Sequence, residues 1–159
     1  MQLYDNHYTT GAGLRTAKLG IRLARDTATL PQTTAAAIFN IVGGNVLMTL
    51  IIGHITTILG AVGNMSLEEN PTVGTTEVLC AVIAAGTFAQ DDLVGISGVP
   101  AAAMLPDSGL TGGIPGMTTQ GVVLRVGTLD LRLSASSTGS IQWTVYYIPL
   151  EPASYMSVA

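Results

Sequence analysis

Apolar and polar side chains alternate through the last third of the chain. Leu129, Leu131 and Leu133 are separated by Asp130 and Arg132, and Trp143, Val145 and Tyr147 alternate with Gln142, Thr144 and Tyr146. A period of two marks half-buried β-strands. The segment from Ser136 to Ser140 has a permitted hairpin length, so Leu129 to Ala135 is predicted to pair with Ile141 to Ile148. That register sets Leu133 opposite Trp143, Leu131 opposite Val145 and Leu129 opposite Tyr147, with all six on one face. Upstream, Gly127-Thr128 predicts a tight turn that brings Arg125 opposite Asp130. The alternative is a bulge at Gly127 within one bent strand.

Nearer the N-terminus, strand formers over Ala35 to Val42 and Val46 to Leu59 flank Gly43-Gly44-Asn45, which predicts two paired strands. The second run is apolar on both alternating faces: Val46, Met48, Leu50 and Ile52 on one, Leu47, Ile51, Ile55 and Leu59 on the other. Half-buried strands alternate apolar with polar, so a second covering partner is expected. The uncharged run Val46 to Val62 also has the length of a short membrane span. Gly53, Gly60, Thr49, Thr56 and Thr57 interrupt it, no Lys or Arg flanks it, and its composition favours strands. Asn64 to Pro71 reads as a polar strand or turn, and Glu77 to Ile83 as a buried strand. Asp91 to Gly121, with three prolines and seven glycines, reads as a long surface loop with a helical turn at Ala101 to Leu105.

These elements predict an all-β fold: an antiparallel β-sandwich, jelly-roll-like, over residues 35–150. Residues 1–34, broken by Gly11, Gly13, Gly20 and Pro31, form an expected extended N-terminal arm, and 151–159 a C-terminal tail. Within the arm, Leu19, Ile21 and Leu23 alternate with Gly20, Arg22 and Ala24, a pattern able to add as a strand to another sheet.

Composition sharpens this picture. Only 10% of the 159 residues are charged while 48% are hydrophobic, against roughly 25% charged in an ordinary soluble domain. A surface so poor in charge points to cover by other protein. Residues 1–26 hold Arg15, Lys18, Arg22 and Arg25 against two aspartates, and the remainder holds two arginines against eight carboxylates. Four cations without interleaved aromatics make a weak nucleic-acid footprint. Docking on an acidic protein neighbour is the expectation, with neither nucleic acid nor membrane as partner. The start of the chain carries no signal-peptide pattern.

Candidate chemistry is sparse. His7 and His54 are the only imidazoles, and His54 lies in the most apolar strand, where a core or interface role is expected. Cys80, the single cysteine, sits among Val78, Leu79, Val82 and Ile83 as a small hydrophobe. No nucleophile elbow, phosphate loop or paired-histidine zinc motif occurs. Asp91-Asp92 and Glu68-Glu69 have the charge for a hard cation, but adjacent carboxylates read first as solvated turns. No enzyme activity, cofactor or metal is expected.

The stretches TTAAAIFNIVGGNVLMTLIIGHITT (Thr33 to Thr57), NPTVGTTEVLCAV (Asn70 to Val82) and GTLDLRLSASSTGSIQWTVYYIPL (Gly127 to Leu150) resemble small virion structural proteins of tailed bacteriophages, including cyanophages. The resemblance implies a capsid decoration (cement) protein: a β-sandwich on the outside of the head, bound to the major capsid protein and to itself as a homotrimer. Arms then clasp neighbouring subunits. Within that reading, Arg15, Lys18, Leu19, Ile21, Arg22, Leu23 and Arg25 are the expected subunit or capsid contacts. Leu50, Ile51, Ile52, His54, Leu133 and Trp143 are the expected core or oligomer interface. The rival expectation is a tail or fibre component that binds a receptor or saccharide through the C-terminal sheet.

Overall fold

The structure, a computed structural model, describes residues 18–31, 34–60, 63–106 and 121–159. In chain order their strands are β1 (Ile21–Ala24), β2 (Ala28–Thr29), β3 (Ala35–Val42), β4 (Val46–Thr57), β5 (Asn64–Pro71), β6 (Glu77–Val78) and β7 (Ile83–Ala84). There follow β8 (Leu93–Gly95), β9 (Leu105–Pro106), β10 (Val122–Leu124), β11 (Gly127–Leu133), β12 (Ser140–Pro149) and β13 (Tyr155–Val158). A first sheet runs β1-β12-β4-β8-β9, with β10 also on β4 and β2 also on β12. A second runs β13-β3-β11-β5-β6, with β7 also on β5. The named strand pairs are all antiparallel. The two sheets pack face to face, so the fold is the β-sandwich that the alternation predicts.

The core lies between the sheets. Val46, Met48, Ile51 and Ile55 of β4, with Trp143, Val145 and Tyr147 of β12, meet Phe39 and Ile41 of β3, Leu67 of β5 and Leu129, Leu131 and Leu133 of β11. Each is at most 4% exposed. Trp143 fits because its cross-strand partner is Gly53. A Cβ there would lie 2.8 Å from both the indole ring and Val94, so the glycine inside this apolar strand is a packing device.

Both predicted hairpins are overturned. β3 and β4 lie in different sheets, and so do β11 and β12. Residues 43–45 form a corner between sheets, where the Asn45 N–H donates to the Glu151 carboxylate. The segment before β12 is held by Gly60 N–H to the Thr138 carbonyl and Leu30 N–H to the Gly139 carbonyl, at 2.9 and 3.0 Å. Leu133 and Trp143 do share the core, but they come from opposite layers. Alternation fixes which face is buried, and strands facing each other across a core satisfy it as well as strands lying side by side. The turn at Gly127 is also a crossing: β10 pairs with β4 and β11 with β3 and β5. Gly127, at φ +152°, lies against the Asn70 carbonyl, where a Cβ would approach to 2.3 Å. The bent-strand alternative is the nearer of the two expectations.

A β-bulge corrects the face assignment in β4. Pairing with β12 steps from Tyr146↔Leu50 to Tyr147↔Met48, leaving Thr49 without an opposite residue. The alternation therefore flips at Thr49. The inward set is Val46, Met48, Ile51, Gly53 and Ile55, and the outward set is Leu47, Leu50, Ile52 and His54. Thr49, itself buried, donates its hydroxyl to the carbonyls of Tyr146 and Leu19.

Asn64–Pro71 is a full strand paired on both sides. The predicted strand over Glu77 to Ile83 is interrupted, because Leu79 and Cys80 turn inward between β6 and β7. The Leu67 N–H reaches the Cys80 thiol at 3.3 Å, and burial pushes the pKa of that thiol up. The predicted helical turn at Ala101 to Leu105 is instead a turn closed by Ala102 N–H to the Val99 carbonyl, an isolated bridge at Ala103 and β9. Residues 107–120 of the predicted loop lie outside the described residues. Of the pattern over Leu19 to Ala24, Ile21–Ala24 forms a strand, and it adds to the chain's own sheet: β1 and β2 pair with β12, and Leu30 joins the core. The expected tail supplies the edge strand β13. No helix of the described residues is long and apolar enough to cross a membrane.

Candidate interaction surfaces

The outward face of the first sheet carries half of the predicted core or interface set. Register places Leu47 beside Ile148 and Val123, Leu50 beside Tyr146, Ile52 beside Thr144, and His54 beside Gln142 and Leu93. Leu50 and Tyr146 are buried, while Ile148 and Val123 are exposed at 39% and 53%. A run of apolar side chains thus crosses the centre of a sheet on the side away from the core. Of the predicted interface residues, Leu50, Ile52 and His54 stand on this face. Ile51, Leu133 and Trp143 belong to the core, so the structure separates the two groups.

The basic cluster lies along one margin of the same sheet. Arg22 is opposite Tyr146 on the outward face, and Ile21 and Leu23 are opposite Tyr147 and Val145 on the inward one. Leu23 packs against the core and Ile21 is 45% exposed. Arg25 is fixed through its backbone, donating to the Trp143 carbonyl at 2.8 Å. Lys18 is exposed, and the Leu19 carbonyl accepts from Thr49. Among the described residues, Lys18, Arg22 and Arg25 have no carboxylate within ion-pairing distance, in contrast to Arg125 and Arg132. Arg15 lies outside the described residues, as does His7.

At the other margin His54 Nε2 and Asp91 Oδ1 are 3.2 Å apart. Asp91 holds φ +70° in a turn whose neighbour Asp92 accepts the Ala89 N–H at 2.7 Å. The two adjacent aspartates are thereby committed to a loop, as their solvated-turn reading predicts.

Glu68 and Glu69 correct the same reading. Both are buried within β5 and point to opposite faces. Glu69, inward at one end of the sandwich, takes the Arg125 backbone N–H and its guanidinium, with Nη2 to Oε2 at 2.8 Å. These bonds push the Arg125 pKa up, and Glu77 adds a second carboxylate at 3.4 Å. The clasp ties the β10–β11 crossing to β5. Sequence reasoning missed it, although Glu69 shares the period of Met65 and Leu67 and so was already placed on the inner face, where a cation must meet it. Glu68 faces outward on the second sheet, directly opposite Asp130. That face is polar, with Asn40, Ser66, Asn70 and Thr128 on it by register.

No three His, Cys, Asp or Glu side chains converge among the described residues as a metal centre would require. A groove of about 350 Å³ opens at the end of the second sheet, lined by Thr34, Asn64, Ser66, Arg132 and Ser134 with Val82 and Leu133. No protein-family model, curated protein or solved structure matches the chain.

Proposed function

We propose that the protein is a capsid decoration protein of a tailed bacteriophage, seated on the outside of the head and binding the major capsid protein and further copies of itself as a homotrimer. One observation carries this reading: on the outward face of the first sheet the exposed Val123 and Ile148 and the part-buried Leu47 and Ile52 adjoin a margin of cations, Lys18, Arg22 and Arg25, that meet no ion-pairing carboxylate among the described residues. Apolar patches of this kind mark protein contacts, and the cations favour an acidic partner surface. The resemblance of the segments around β3–β4, β5–β6 and β11–β12 to small phage virion proteins supplies the particular setting. The tail or fibre reading has less support, since Trp143 is 1% exposed and is not available to stack on a sugar.

The test is co-sedimentation of the purified protein with empty, undecorated capsids, together with light scattering of the protein alone. The proposal expects saturable binding at the three-fold positions and a trimer mass. Neutralising Lys18, Arg22 and Arg25 together is expected to weaken attachment more at low salt than at high, because exposed charges are screened over roughly 10 Å at 0.1 M salt. A stable monomer that stays in the supernatant overturns it.

A further inference from the structure

Among the described residues, one buried side-chain oxygen lacks any hydrogen-bond partner: Oδ1 of Asp130. Asp130 is 6% exposed, at the middle of the central strand β11 and on the outward face of the second sheet. Its cross-strand partner is Glu68, itself 7% exposed. Two carboxylates directly opposite on neighbouring strands repel one another, and burial removes the water that would weaken that repulsion.

The neighbours only partly compensate. The Arg132 guanidinium, two residues along the same strand, lies 3.6 Å from Glu68 Oε2. Asn70 Nδ2 donates to Asp130 Oδ2 at a long 3.5 Å. On the other side Asp130 faces Ala37, which offers no side-chain donor. A buried carboxylate with a bare oxygen is strongly destabilising unless a positive charge meets it, and an unsatisfied buried group in a native structure calls for an ion or another compensating partner.

We infer that the Asp130–Glu68 pair binds a hard, oxygen-seeking cation of the calcium class. Two carboxylates supply the charge; Asn70 turns its Nδ2 to Asp130 and accepts from Thr76 through Oδ1, so water supplies the remaining oxygens. An irregular shell of two carboxylates completed by water suits calcium, which accepts irregular coordination. Magnesium demands a near-ideal octahedron. Burial of the bare oxygen favours a monatomic ion over the side chain of a second molecule, which would have to displace covering atoms to reach it. This inference does not depend on the capsid role.

The experiment is thermal unfolding of the full chain after dialysis against a chelator, with calcium chloride titrated in and magnesium chloride and sodium chloride as controls at matched ionic strength. A ligand that binds only the folded state raises the melting temperature progressively with its concentration. The expected dissociation constant is about 10⁻⁴–10⁻³ M, the range of sites with few carboxylates. Asp130→Asn is expected to melt no lower than the metal-free protein and to lose the calcium response. Glu68→Gln is expected to lose that response as well, and it carries the test alone if the first variant does not fold. A melting temperature that calcium shifts no further than sodium does, or a full calcium response in both variants, overturns the inference.

Discussion

Trp143 shows how much of this core depends on single positions. It is the largest fully buried side chain, and its room comes from a missing Cβ at Gly53. Trp143→Ala is expected to lower stability by about 3–5 kcal/mol through lost contacts and a cavity. Gly53→Val is expected to cost about 1–3 kcal/mol for the opposite reason, overfilling. Urea unfolding measures both, and an unchanged midpoint for Trp143→Ala would contradict the packing described. The inward positions of Leu129, Leu131, Leu133, Trp143, Val145 and Tyr147 were all legible in the sequence, because burial on one face leaves a period of two. The Arg125–Glu69 clasp was not, because an ion pair across a crossing leaves no periodic trace.

At the scale of the element, β4 explains why an apolar strand misled the assignment of faces. One extra residue, Thr49, exchanges the inward and outward sets, and no composition signal marks a bulge inside a uniformly apolar run. The boundaries of β3 and the start of β4 were readable from Gly43-Gly44-Asn45, whereas their neighbours were not. A glycine-rich turn serves a hairpin and a sheet-to-sheet corner equally well. The bulge makes a discriminating prediction. Ile51→Asp places a charge in the core at a site with no exposed surface and is expected to prevent folding, since an unpaired buried charge costs several kcal/mol. Ile52→Asp, on the outward face and only part-buried, is expected to fold with reduced stability and to associate less. Circular dichroism separates the pair, and equal loss of structure in both variants would place Ile52 in the core after all.

For the whole molecule, the margin of the sandwich begins earlier than composition implies. β1, β2 and Leu30 complete the first sheet and the core. Removing residues 1–30 is therefore expected to expose the long edge of β12 and lower the melting temperature substantially. Calorimetry of the truncated and the full chain measures the difference. Equal melting temperatures would show that β1 and β2 add nothing to the sheet. The candidate surface was legible as a property, an excess of apolar residues over charge, but its location required the register of β4 against β12.

The strand pairings nest, β3 with β13, β4 with β12 and β5 with β11, so β11, β12 and β13 supply partners to each of β1 to β5 made before them. On the ribosome, β4 emerges as a twelve-residue, largely apolar strand whose long partner does not yet exist. Chains that must close large loops before any sheet is complete fold slowly, and an unpaired strand of this kind invites association with other nascent chains. Synthesis at low temperature or slow rate, which keeps the concentration of unfinished chains down, is thus the condition under which this topology is obtained in good yield. A protein of this build gains its structure as a single late event, once β11, β12 and β13 have all been made.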